Sequence, residues 1–169
     1  MSSSFRFDEP EAFTAGTVGE PGARTFFLQV VEAGQVVSLK CEKQQVAALA
    51  EYLAELLADL PPVSHEVAGI PPALVEPVLA EWVAGSMGVA WDEDDERFVI
   101  VVDELVPDDR DEPPGVARFR LTAAQVAAFV PHATELVGQG RPLCPLCGHP
   151  VDPDGHACPR SNGHHRPST

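Results

Sequence analysis

The sequence predicts an α+β protein: two β-β-β-α repeats forming one antiparallel-sheet domain, followed by a small zinc-ribbon-like module. Two segments of helical period, each preceded by strand-like apolar runs, predict the repeated unit. Three closely spaced cysteines near the C-terminus predict the module. The expected boundaries are a duplicated domain over 1–140, with repeats at about 5–60 and 78–138, then a zinc-knuckle module and tail over 141–169.

The first helix is expected from Glu42 to Leu60. Val46, Leu49, Leu53, Leu56, Leu57 and Leu60 recur every three or four residues, and Pro61-Pro62 stops the run. The second is expected from Thr122, a suitable N-cap, to Val137, with Gly138 just beyond. Pro131 falls inside it, so a kink or a break into two pieces is expected. Gln45-Val46-Ala47-Ala48 matches Gln125-Val126-Ala127-Ala128 at an offset of 80. Val37–Cys41 and Ala117–Leu121 lead into the two helices as strands, and Phe26–Val31 and Phe98–Val102 are strands before them. Phe13–Gly19 resembles Trp82–Gly88 at an offset of 69. Three stations in the same order predict approximate internal two-fold symmetry. Strand reversals are expected at Glu20-Pro21-Gly22 and Ala33-Gly34.

Charge narrows the partners. The net charge is −15, and residues 1–140 hold 8 Lys/Arg against 24 Asp/Glu. Phosphate backbones repel such a body, so no nucleic acid is expected as a partner. Asp92 to Glu112 holds eleven acidic residues, expected to form two solvated turns around the strand Phe98–Val102. No apolar run reaches signal-peptide or membrane-span length, so a cytoplasmic protein with no membrane partner is expected. In that compartment grouped cysteines indicate metal before disulfide.

Cys144-Pro-Leu-Cys147-Gly is a zinc-knuckle pattern: two thiolates from one tight turn can grip one ion. Cys158-Pro159 opens a second knuckle, and a regular ribbon would carry a cysteine where Ser161 stands. The fourth ligand is therefore a histidine. His156, two residues before Cys158, shares a face with it in a strand. His164, past the Asn162-Gly163 turn, is the alternative. Four protein ligands leave no open position, so one structural Zn2+ is expected, with no catalytic role.

Phe13-x-x-Gly16-Thr17-Val18-Gly19, Leu28-Gln29, Glu42–Val46 and the terminal Cys-Pro-x-Cys-Gly…Gly-His-x-Cys-Pro-Arg-x-Asn-Gly resemble the domain-of-unknown-function 3090 family of actinobacteria. The likeness covers nearly the whole chain. It implies an actinobacterial source but no activity or substrate, and its terminal motif includes His156 and not His164.

No catalytic set can be assembled. Gly16-x-x-Gly19-x-x-Gly22 lacks the Lys-Ser/Thr and the helix of a phosphate loop, and suits a hairpin. Cys41, at the end of an apolar strand, reads as a buried small residue. His65 and His132 have no partner nearby in sequence. The expected role is a non-catalytic protein-interaction or ligand-binding module with a protein partner. The alternative is an enzyme acting on a small molecule in the cleft between the repeats.

A metal prediction follows. Protein purified without chelator should carry one zinc per chain by elemental analysis. Cys144→Ser should lose it, and His156→Ala should weaken it more than His164→Ala. Well under one zinc in the wild type would refute the site, while equal affinity in His156→Ala and wild type would refute only that ligand.

Overall fold

Alternating apolar residues build seven strands, and the helical-period segments build two long helices on them. In chain order the elements are β1 (Phe5–Phe7), β2 (Ala12–Val18), β3 (Thr25–Glu32), β4 (Gln35–Cys41), α1 (Lys43–Ala58), α2 (His65–Ala68), β5 (Ala80–Asp92), β6 (Arg97–Glu104), β7 (Val116–Leu121) and α3 (Ala123–Gly138). The computed structural model describes residues 2–20, 22–139 and 145–146. The chain divides into two units, Met1–Val137 and Gly138–Thr169, and all seven strands belong to the first.

All the strands join one sheet in the order β1-β7-β6-β5-β4-β3-β2. It is mixed, which corrects the expected antiparallel sheet. The hairpins β2-β3-β4 and β5-β6-β7 are antiparallel, but β4 meets β5 in parallel and β1 meets β7 in parallel. The cause is connectivity. Between β4 and β5, α1 returns the chain to the end of the sheet from which β4 set out, so β5 runs the same way, whereas β1 reaches β7 from the opposite end of the chain.

β1 and β2 lie at opposite ends of this order but are joined by only Asp8–Glu11. A flat seven-stranded sheet would hold its edges ~29 Å apart, whereas the link from Phe7 to Ala12 can span at most ~18 Å. The sheet must roll. Phe13 on β2 duly meets Phe119 on β7, with ring centroids 5.8 Å apart, and Phe7 on β1 meets the same ring at 6.1 Å.

Inside the roll the two halves place their side chains in matching register. Phe26 faces Cys41, Leu28 faces Leu39 and Val30 faces Val37. In the second half Phe98 faces Leu121, Ile100 faces Phe119 and Val102 faces Ala117. All twelve are buried in one core with Val46, Leu49, Leu53, Val126, Phe129 and Ala133 from the helices. Phe26 and Phe98 are 72 residues apart and Cys41 and Leu121 are 80 apart, as the sequence alignment of these stations has it. The first station differs. Phe13 faces Val30, and the residue facing Val102 is Met87, not Trp82 or its neighbours. The sheet register therefore relates these strands at an offset of 74, not 69. The likeness at 69 equates two crowded glycines, Gly16 under the covering connection and Gly85 beside the end of the neighbouring β6. A Cβ on Gly16 would lie 2.5 Å from the Leu74 side chain, and one on Gly85 would lie 3.1 Å from the Leu105 backbone.

Each long helix starts with a side-chain lock. Gln45 accepts from the Glu42 amide (2.7 Å), and Gln125 accepts from the Thr122 amide (3.0 Å) while Thr122 accepts in return (3.1 Å). The helices lie beside one another, with Ala47, Ala50 and Ala54 of α1 near Val130, Thr134 and Val137 of α3. α3 runs unbroken through Pro131, so the expected break into two pieces does not occur. Pro131 is exposed, and its ring and forfeited hydrogen bond fall on the solvent side. Phe129, Ala133 and Leu136 meanwhile hold the opposite face in the core.

The turn at Ala33-Gly34 is as expected. Both residues have positive φ (49° and 83°), the conformation a two-residue hairpin loop demands. The proline-rich connection after α1 covers the outer face of the first half. There Gln29, 1% exposed, donates to the Val75 carbonyl (3.1 Å) and the Ser38 hydroxyl (3.0 Å), and accepts from the Val75 amide (2.7 Å). Both faces of β3 are buried as a result. Gln29→Leu should therefore destabilise the fold by about 1–3 kcal/mol, since Ser38 stays buried without its partner. Denaturant unfolding would measure this, and limited proteolysis should open the connection between residues 61 and 79 before the rest unfolds.

Candidate functional site

Where β4 gives way to α1, the sheet parts. β5 pairs with β4 only at Ala80 and Val83, then continues to Asp92 with no strand neighbour on that side among the described residues. α1 lies alongside, and the Gln45 amide bridges them by donating to the carbonyls of Ala84 (3.1 Å) and Gly85 (2.7 Å). Beyond this bridge a cleft of about 500 Å³ opens between helix and strand. Gln45, Ala48, Leu49 and Tyr52 line one wall, and Gly85, Met87, Gly88 and Val89 line the other.

A second parting lies between β7 and β2, and it is closed. Gln125 donates to the Pro10 carbonyl (2.8 Å), 74 residues before Ala84 and in the link just before β2, so each helix grips the other half near its first long strand. Beyond that grip, Phe13 packs on Phe129 with centroids 4.6 Å apart, and His132 Nε2 lies 2.8 Å from the Ala15 carbonyl oxygen. Phe13 and Ala15 are 3% and 2% exposed. At the corresponding positions of the open cleft stand Met87, Leu49, Tyr52 and Val89. Met87 and Val89 are half-buried, and Tyr52 is 49% exposed. Smaller or more flexible side chains, and a tyrosine turned to solvent, leave the space that two phenylalanines and a histidine fill on the other side.

Chemically the open cleft offers apolar surface, one phenol and strand backbone. Among the described residues its lining side chains contain no carboxylate, imidazole, thiol or amine. A second depression, lined by Arg6, Asp8, Glu9, Glu11, Glu32, Asp95, Arg97 and Arg120, is strongly charged, but its charges are engaged locally. Arg120 pairs with Asp92 (3.1 Å) and Asp95 (2.6 Å). Glu32 accepts from the Glu9 amide and Glu11 from the Ala33 amide, which pins the β1–β2 link to the β3–β4 turn. The Arg120 hydrogen bond, with the Asp95 and Asp94 amides, holds the Asp92 carboxyl below its usual range. The acidic stretch thus forms turns around β6, as expected. On the far side of β6 Glu104 accepts from the Gly115 amide and from Arg110, and its carboxyl is also held low, first by that amide.

Cys41 is buried, and burial pushes its thiol up to about 12, so it is no nucleophile. His65 is exposed at the start of α2, and His132 serves the closed parting. Cys144, Cys147, His156, Cys158 and the alternative His164 lie outside the described residues. Among the described residues no three His, Cys, Asp or Glu side chains are grouped to hold a metal. Among them, too, no helix is long and apolar enough to cross a membrane. Sequence reasoning missed the cleft residues, because Ala48, Tyr52, Met87 and Val89 match no motif. The one signal was the difference of Tyr52, Met87 and Val89 from His132, Phe13 and Ala15 once the register is known.

The fold and cleft define an α+β protein with a rolled mixed sheet and a helix in each parting. Residues 5–158 match the family described as "Protein of unknown function (DUF3090)", and the chain belongs to that family. Comparison with curated proteins and with solved structures finds no match.

The two partings make opposite predictions. His132→Ala should cost about 1–3 kcal/mol, because it empties packed space beside Phe13 and leaves the buried Ala15 carbonyl with only the longer Thr14 hydroxyl bond (3.2 Å). Tyr52→Ala, at the matching exposed position, should stay within about 0.5 kcal/mol of wild type. Paired denaturation curves test this, and equal losses would show that the two partings are packed alike.

Proposed function

We propose that the chain is a non-catalytic binding protein, built from two copies of one strand-strand-strand-helix unit, that recognises a protein partner at the α1–β5 cleft. The observation that carries this is the contrast between the partings. Two places of the same construction exist, and only one is filled by the protein's own side chains. An apolar cleft kept open costs hydration of Met87, Val89 and the Tyr52 ring, which a bound apolar group would relieve. The lining lacks an acid–base pair, which favours binding over catalysis in this cleft.

The duplication is supported by the paired registers, by the two glutamine locks, and by the reciprocal grip of each helix on the other half. It also accounts for the existence of two partings. For the C-terminal segment we propose one structural zinc on Cys144, Cys147, Cys158 and His156. Three thiolates and an imidazole are a donor set suited to closed tetrahedral zinc, and a segment this short gains most of its ordering energy from the metal.

The cleft is tested with small aromatic fragments and amide NMR on the full-length protein. Fragments should shift the resonances of Ala48, Met87 and Val89 in the wild type. They should fail to do so in Ala48→Trp, where an exposed helix position is enlarged to fill the cleft. Fragments that shift only residues elsewhere, or bind Ala48→Trp equally, would refute the site.

A further inference from the structure

The cleft has one wall made of strand backbone, and that wall narrows what can bind. On the side facing β4, β5 makes ladder pairs only at Ala80 and Val83, and Gln45 takes the carbonyls of Ala84 and Gly85. From Ser86 to Asp92 the strand pairs with β6 on its other side. Its peptide groups alternate in direction, so every second one points away from β6. Among the described residues none of these outward groups has a protein partner. The segment reads Ser86-Met87-Gly88-Val89-Ala90-Trp91-Asp92. It has no proline and no lysine, and its only charge is at the far end, so it lacks the usual protections of a free edge. A Cβ at Gly88 would meet nothing within 4 Å, so another backbone can approach there.

We infer that the cleft takes an extended, basic and apolar peptide segment of a partner protein, which adds to β5 as a further strand. This rests on the cleft being the binding site. A row of alternating donors and acceptors is matched by another extended backbone, and the apolar cleft beside it accepts alternate side chains of that strand. Charge selects the partner. Glu51 and Glu55 of α1 are exposed, and β5 runs into the acidic turn Glu93–Glu96. Lysine or arginine at the solvent-facing positions of the incoming strand would meet these carboxylates. A second copy of this chain is the other strand donor, but each copy carries −15 and the two would repel.

The test uses the full-length protein and a synthetic eight-residue peptide alternating lysine and valine, with two control peptides. One control is methylated on alternate backbone nitrogens, and the other replaces lysine by glutamate. The lysine–valine peptide should bind saturably and slow hydrogen exchange at alternate amides between Ser86 and Asp92. Both controls, and the lysine–valine peptide with Ala48→Trp, should bind at least about tenfold more weakly. Equal binding of the methylated peptide, or saturation without protection on β5, would overturn strand addition. So would protection of these amides that rises with protein concentration in the absence of peptide, since the edge would then pair with a second copy. If aromatic fragments still shift Met87 and Val89 while the peptide leaves β5 unprotected, strand addition is wrong and the cleft reading stands.

Discussion

The parallel pairing of β1 with β7 is the constraint on which the rest of the molecule depends. Three residues at the start of the chain pair with the last strand, and four residues later the chain begins the opposite edge of the sheet. A link that short cannot cross a flat sheet, so the pairing obliges the sheet to roll. The roll brings Phe7, Phe13 and Phe119 together, and α3 adds Phe129 to them. Aromatic pairs of this kind add about 0.5–1.5 kcal/mol each beyond the area they bury. Trp82 ties in the same terminus from the other half, its indole N–H donating to the Ser3 carbonyl (2.8 Å).

Rolling creates a difficulty that the helices resolve. Strands that end in a helix cannot follow their neighbours to full length, so the sheet parts after β4 and again after β7. Backbone groups along the parting strands then need partners, because buried peptide groups without them are costly. Gln45 and Gln125 meet part of this need. Each amide oxygen caps its own helix while the amide nitrogen reaches a carbonyl of the other half. One side chain thus fixes both where the helix starts and where it lies against the sheet. That double duty explains why glutamine stands at both positions: its amide carries a donor and an acceptor, and glutamate would supply only acceptors.

The partings then diverge in how they are finished. At β2 the side chains of Phe13, Phe129 and His132 complete the closure, so this parting is part of the core. At β5 the corresponding side chains leave a recess beside a strand edge that no described residue pairs. The same architecture therefore holds one position devoted to stability and one available for binding. They differ in side-chain volume, in one hydrogen bond to a strand carbonyl, and in the strand itself, which is continuous in β5 but split into β1 and β2 in the other half.

Much of this was legible in the residues alone. The two helices, six of the seven described strands and the Ala33-Gly34 turn follow from local periodicity and turn chemistry, which neighbouring residues decide among themselves. β1 escaped notice because three residues are too short to show a period, and its strand character comes from β7. The register of β2 against β5 was misjudged by five residues, because Gly16, crowded by Leu74, and Gly85, crowded by the end of β6, look alike in sequence. Parallel pairing, the roll and the cleft were decided only by tertiary structure. They depend on which edges meet and on how a methionine, a leucine and a tyrosine fill space that two phenylalanines and a histidine fill elsewhere. Spacing records which residues can share a face; only packing in three dimensions decides which surfaces touch and which stay open.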